Sequence, residues 1–292
     1  MTAAAAEVTT LLDGLCDDAA LFPPGNLPLD EAVPAHLAHR RSAHRQVVGP
    51  FVVAAAQLDR LAPLLDDSPA GSFEVSVTVP SPSEVATVLD RARAIEALRV
   101  AALEVVVPDG VPVATVVPAL DAALASRPEV VAFVELPRDD RRPALVEALS
   151  GTAYLAKLRT GGVRADLYPD EQELAAAVVA TARAGLPFKA TAGLHHAVRN
   201  TDPETGFEQH GFLNVLAAVE AALAGANEPA VVAILADRDA DHVASMVRVL
   251  GDRTDRVREQ FRSFGTCSID EPVEELTALG LGPADPRTGG DL

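Results

Sequence analysis

The chain predicts a single (β/α)8 barrel. Short apolar runs alternate with longer helical patterns, as in a parallel sheet of the α/β class. Eight such runs can be counted, and 292 residues suit one barrel, which typically takes about 250. The count rests on a short first run. A seven-stranded or open doubly wound sheet is therefore the alternative.

In order along the chain, Met1 to Ala20 is alanine-rich but carries Glu7, Asp13, Asp17 and Asp18. It reads as a soluble helix, since no basic segment precedes an apolar run. The first strand is expected at Ala19–Phe22, stopped by Pro23-Pro24, and Phe22-Pro23-Pro24-Gly25 reads as a turn or as a rigid rim to a pocket. A helix over Leu29–His44 follows. The remaining strands are predicted at Val47–Ala55, Phe73–Val79, Val100–Val107, Val130–Leu136, Tyr154–Arg159, Phe188–Ala192 and Phe261–Cys267. Helices over Ser83–Ala97, Ala114–Ala125 and Asp170–Ala184 separate several of them. The barrel is expected to span residues 1–281. The Pro/Gly/Asp-rich residues 282–292 are expected to form a flexible tail.

The connection between the seventh and eighth strands, residues 194–258, is far longer than a barrel needs. It holds a polar loop, Asn200–Gln209, and helical stretches at Phe212–Ala224 and Pro229–Leu250. An insertion after the C-terminal end of a strand lies on the active-site face, so a lid-like role is expected.

Composition narrows the function. Residues are 49% hydrophobic, 4% aromatic and without Trp, so a large core must be built from Ala, Val and Leu. A net charge of −18 argues against nucleic acid, whose binding needs clustered cations. No run of about 20 residues is apolar enough to span a membrane. Cys16 and Cys267 form no metal pattern and fit a reducing cytoplasm. No GxGxxG follows the first strand, and no cofactor is expected. The oligomeric state is open; barrels with apolar outer helices often pair as homodimers.

Of 24 basic residues only Lys157 and Lys189 are lysine. They fall at matching places in the sixth and seventh strands. Alternation puts Lys157, Arg159 and Gly161 on one face, and Lys189, Thr191 and Gly193 on one face of the next strand. The opposite faces are apolar and should meet the helices, so the lysines should point into the barrel. Converging cations and partial burial depress a lysine's pKa, and the free amine can form a Schiff base with a carbonyl. The plainer reading is anion binding, or pairing with Glu104 and Glu135 inside the barrel.

The segments Lys157-Leu-Arg-Thr160-Gly161-Gly162, Lys189-Ala-Thr-Ala-Gly193 and Gly265-Thr-Cys-Ser268 resemble the motifs of the deoxyribose-phosphate aldolase family of class I aldolases; order and spacing match over strands six and seven, and the third segment follows late, after the long connection. The resemblance covers only strands six to eight. It implies that Lys157 is the Schiff-base nucleophile and Lys189 its pKa-lowering partner, with Gly193, Gly265 and Ser268 lining an anion site. The family's proton-shuttling aspartate has Glu104 as its counterpart, and its Gly-Gly after the second lysine is replaced by Ala-Gly-Leu-His-His.

His195, His196 and His210 form a second constellation beside Asn214. A histidine can relay protons near neutral pH; with Glu135, these residues could instead hold zinc or iron. His36, His39, His44 and His242 read as surface residues. Arg159 and Arg199 suit a carboxylate or phosphate, or salt bridges to Glu135 and Asp202. Glu135 is expected beside Lys157 as its holder or as a general base. Catalytic candidates are thus Lys157, Lys189, Glu135, His195, His196 and His210. Arg159, Thr160, Gly161, Thr191, Gly193, Arg199, Asn214, Gly265 and Ser268 are expected to bind substrate. The expected activity is a class I aldolase or lyase acting on a small anionic carbonyl compound. A metal-dependent hydrolase or lyase and a non-catalytic small-acid-binding barrel are the alternatives.

Overall fold

A computed structural model of the chain describes residues 11–282. The strands are β1 (Cys16–Asp18), β2 (Val48–Ala54), β3 (Phe73–Val79), β4 (Leu98–Val105), β5 (Val131–Glu135), β6 (Leu155–Arg159) and β7 (Phe188–Thr191). After a two-residue hairpin, β8 (Asn200–Thr201) with β9 (Glu208–Gln209), the eighth barrel strand is β10 (Phe261–Thr266). The barrel closes in the order β1-β10-β7-β6-β5-β4-β3-β2, with every neighbouring pair parallel. This is the predicted (β/α)8 barrel, an architecture typical of enzymes. No helix among the described residues is long and apolar enough to cross a membrane.

The strands form where Val, Phe, Ala and Leu alternate or run together. Phe51, Val75, Val77, Leu103, Val134, Ala156, Phe188, Ala190 and Phe264 are all buried. Side-chain caps start several helices. Asp170 accepts the Glu173 amide at 2.8 Å to open Glu171–Arg183. Asn227 does the same for Glu228–Leu235, and Asp239 for Ala240–Arg248. Such a cap satisfies one of the amides that the first helical turn leaves unbonded.

The first strand differs from the expectation. It lies at Cys16–Asp18, just before the apolar Ala19–Phe22, and places two aspartates in the barrel wall. Leu11 and Leu12 are helical, but the helix expected through Ala20 has ended by then; residues 1–10 lie outside the described part. The expected helix Leu29–His44 stops at His39, where a turn begins with Ser42 donating to the His39 carbonyl. The stretch Pro229–Leu250 is two helices, divided where Asp239 caps the second.

The long connection is largely wall rather than lid. Phe212–Leu223 is buried along Phe212–Val219 and packs against Glu171–Arg183, against the two helices that follow and against β10. Asn214 anchors it: its amide donates to the carbonyls of Ile234 and Asp237, and its oxygen accepts from the Arg199 amide. Within the connection, only His195 lines the pocket at the barrel mouth. The tail expected over 282–292 lies, from residue 283 on, outside the described part.

Candidate active site

Strand register places the charged residues. Lys157 on β6 is partnered with Glu135 on β5 on one side and with Lys189 on β7 on the other, so the three form one row across the barrel. Since partners in register share a face, all three point inward, as alternation predicts. Glu104 enters from β4 and Asp17 from β1.

The result is a chain of alternating charge. The Asp17 carboxylate accepts from Lys189 and, at 2.9 Å, from the Ser263 hydroxyl. Lys189 Nζ also donates to Glu104 Oε1 at 2.5 Å, and the Ser76 hydroxyl donates to the same oxygen at 2.9 Å. Glu104 Oε2 lies 3.1 Å from Lys157 Nζ, which is 3.0 Å from Glu135 Oε2. Arg159 Nε donates to Glu135 Oε1 at 3.3 Å. Three carboxylates therefore oppose three cations. Lys189 is fully buried, with the Phe133 ring 5.5 Å from its ammonium. Lys157 is buried but borders open space.

The electrostatics correct one expectation. Burial by itself would lower the pKa of Lys189, but the charges and hydrogen bonds of Asp17 and Glu104 outweigh it and move it upward. Lys189 is thus held as an ammonium and does not act as a free amine. Burial opposes ionisation of Glu104 and Glu135 as well. The lysines bring Glu104 below the usual carboxylate range, and Lys157 with Arg159 lower Glu135. Asp17 is raised by burial in spite of Lys189.

A cavity of about 270 Å³ opens at the C-terminal ends of the strands. Glu104, Lys157, Arg159, Thr191, His195, Gly265 and Cys267 supply its polar and small surfaces. Phe22, Pro23, Val52, Val106, Val163 and Leu167 supply apolar walls, so the Phe22-Pro23 rim is part of the pocket. Gly265 offers bare backbone there, next to the Thr191 hydroxyl.

The other expected site residues lie elsewhere or carry structure. Thr160 is buried and donates to the Ala192 carbonyl at 2.5 Å. Gly161 and Gly193 press against each other: a Cβ on Gly161 would stand 2.7 Å from Gly193 Cα, and Gly193 has φ +72°. Ser268 accepts the Glu271 amide at 3.3 Å. The helix beginning there carries Asp270 and Glu271 in its first turn, a poor setting for the expected anion site. Arg199 is buried and paired with Glu171 at 2.6 Å and Glu208 at 3.3 Å, not with Asp202, while Asn214 holds the helix described above. Neither residue lines the pocket.

The histidines separate. His196 pairs with Glu275 at 2.6 Å, and His210 is buried against the Pro169 carbonyl at 2.8 Å. Only His195 lines the pocket, with Nδ1 3.4 Å from the Cys267 sulfur and Nε2 buried without a protein partner. Burial, with His196 nearby, lowers His195 to a pKa of about 4, and burial raises Cys267 to about 11. Both groups are therefore neutral near pH 7. Among the described residues, the alternative metal set of these histidines with Glu135 is not brought together. Among the described residues, the group with metal-ligand spacing is His39, His44 and Asp270. His36, expected on the surface, is buried between Phe51 and Phe73 and bonded to Asp18 at 2.9 Å.

Sequence reasoning missed Asp17, Ser76, Ser263 and Cys267. A three-residue strand with two adjacent aspartates carries little apolar signal, although the buried Leu15 and Cys16 mark where the chain turns inward. No family model matches the chain, and no curated protein matches it.

Proposed function

We propose that this barrel is a lysine-dependent aldolase or lyase that forms a Schiff base between Lys157 and a small carbonyl compound. One observation carries the reading: Lys157 is the lysine that borders the mouth cavity, and Glu104 and Glu135 both stand about 3 Å from its Nζ. A nucleophilic lysine must shed a proton, and Glu135, itself held low by Lys157 and Arg159, is placed to relay that proton to the cavity rather than to keep it.

In the forward sequence, Lys157 passes a proton by way of Glu135 to the cavity. Its Nζ lone pair adds to the carbonyl carbon, and the carbonyl oxygen, protonated twice, leaves as water to give an iminium. For cleavage, a base removes the β-hydroxyl proton, the C–C bond breaks, and its electron pair moves into the iminium to form an enamine. Protonation at carbon and hydrolysis return Lys157 and release the second carbonyl product. Lys189 acts through Glu104 as a positioning residue, its fixed charge holding the carboxylate beside Lys157. His195 donates from Nε2: with Nδ1 accepting a hydrogen bond from the neutral Cys267 thiol, the ring hydrogen sits on Nε2, for a substrate oxygen to accept. Arg159 is the cation nearest the opening and the group to meet an anionic substituent.

Borohydride trapping tests the reading. The protein is incubated with a panel of short aldehydes and 2-oxo acids, reduced, digested and mapped by mass spectrometry. A reduced adduct on Lys157, absent from Lys157→Met, is expected. Full turnover by Lys157→Met, or turnover of a panel member without any adduct, sinks it.

A further inference from the structure

A second group of side chains, outside the lining of the mouth cavity, has the composition and spacing of a metal site. His39 ends the helix Leu29–His39, His44 lies in the turn after it, and Asp270 opens the helix Asp270–Ala278. His39 Nδ1 is 3.4 Å from His44 Nε2 and 3.7 Å from Asp270 Oδ1, and all three donor atoms lie within 4.8 Å of one another. A tetrahedral zinc ion with ligand bonds of about 2.0–2.1 Å holds its donors about 3.4 Å apart. The histidine pair already has that separation. The His39–Asp270 edge needs a few tenths of an ångström and the His44–Asp270 edge, within 4.8 Å, about 1.4 Å at most; Asp270, 65% exposed, can swing to supply both.

Two further features favour a cation here. The histidines stand at the C-terminal end of a helix, the negative pole of its dipole. The turn between them is fixed: Ser42 donates to the His39 carbonyl at 2.7 Å and accepts the His44 amide at 3.3 Å. Two imidazoles and one carboxylate suit zinc and its neighbours rather than magnesium, which prefers oxygen donors.

We infer that His39, His44 and Asp270 form a binding site for a zinc-type divalent ion, with water as the fourth ligand. The site joins the first and last β/α units. Between them runs the β1–β10 seam, paired at only three positions because β1 is three residues long. A metal bound to both sides acts as a clasp on that seam, and it is independent of the Lys157 chemistry.

The test uses full-length, tag-free protein stripped with a chelator, with zinc sulfate, nickel sulfate and magnesium chloride as probes in calorimetric titration and thermal melts. One equivalent of zinc at micromolar concentration is expected, with Tm raised by several degrees because the ion binds the folded state alone. Magnesium should have no such effect. Asp270→Asn should weaken zinc binding at least tenfold, and His39→Gln/His44→Gln should abolish it. Because all three side chains are at least partly exposed, the metal-free melts of these variants should match the parent. Zinc binding that persists in the double histidine variant, or a parent without micromolar zinc binding, overturns the site.

Discussion

Lys157 and Lys189 face each other in register on neighbouring strands, and a single carboxylate, Glu104, lies between their charges. Two ammonium groups in one row would repel each other in a medium of low dielectric. Glu104 turns that conflict into a bridge, at the cost of its own desolvation.

Glu104→Gln should therefore be among the most damaging single changes in the barrel. It leaves Lys189 with Asp17 alone and deprives Lys157 of one of its two partners. Breaking a buried pair from one side costs about 3–5 kcal/mol. Urea denaturation at pH 7 should read a loss of that order. A loss within the range of an ordinary surface substitution would contradict the geometry.

Acid should weaken the fold well above the carboxylate range. His195 and His210 are held near pKa 4 in the folded state, chiefly by burial, against an ordinary 6.5. A depressed histidine contributes stability fully above the unfolded value and loses it as pH falls toward the folded one. The contribution is on the order of 3 kcal/mol per histidine. His196, raised by its hydrogen bond to Glu275, acts in the opposite sense but is half exposed. Denaturation midpoints should fall between pH 7 and pH 5, and His210→Gln should flatten that decline.

Gly193→Ala should be costly for two reasons. The backbone is left-handed there, and the new methyl group would meet Gly161 and Tyr168 within 3 Å. About 1–3 kcal/mol is expected from strain and overlap together. Because His195 follows two residues later, KM for any substrate of the pocket should rise along with the loss in Tm.

Cys267 should be a slow thiol despite its place in the pocket wall. With its pKa raised to about 11, little thiolate exists at pH 7.5. Iodoacetamide should label it at least roughly tenfold more slowly than an unhindered thiol. Cys16 should not label, being buried and raised further still. Rapid labelling of Cys267 would mean that the thiol does not serve as the neutral donor to His195.

Much of this molecule is readable from the chain because strand burial and alternation are local properties. Seven strands were located to within about two residues, and register then followed from barrel closure. That Lys157 and Lys189 point inward, and that Glu135 stands beside Lys157, both follow from period-two geometry. What local pattern hides is pairing across the barrel. Asp17 is 172 residues from Lys189, and without that partner the acidic segment reads as part of a soluble helix. His36 reads as a surface residue for the same reason, since Asp18 and the two phenylalanines that hide it are distant in sequence. Arg199, Asn214 and Ser268 have the chemistry of ligand-binding groups, but each is already engaged by the fold.

The three carboxylates and three cations of the barrel cancel, while the chain as a whole carries −18. A solute nearing the mouth therefore meets a negative shell before it meets a neutral interior. For an anion that shell is a barrier to encounter, and dissolved salt thins it over a Debye length of about 10 Å at 0.1 M. An anionic carbonyl substrate should consequently show kcat/KM rising with ionic strength, whereas an uncharged aldehyde should show none of that dependence. The acidic exterior would then act as a filter on arrival, separate from any discrimination made by Arg159 inside.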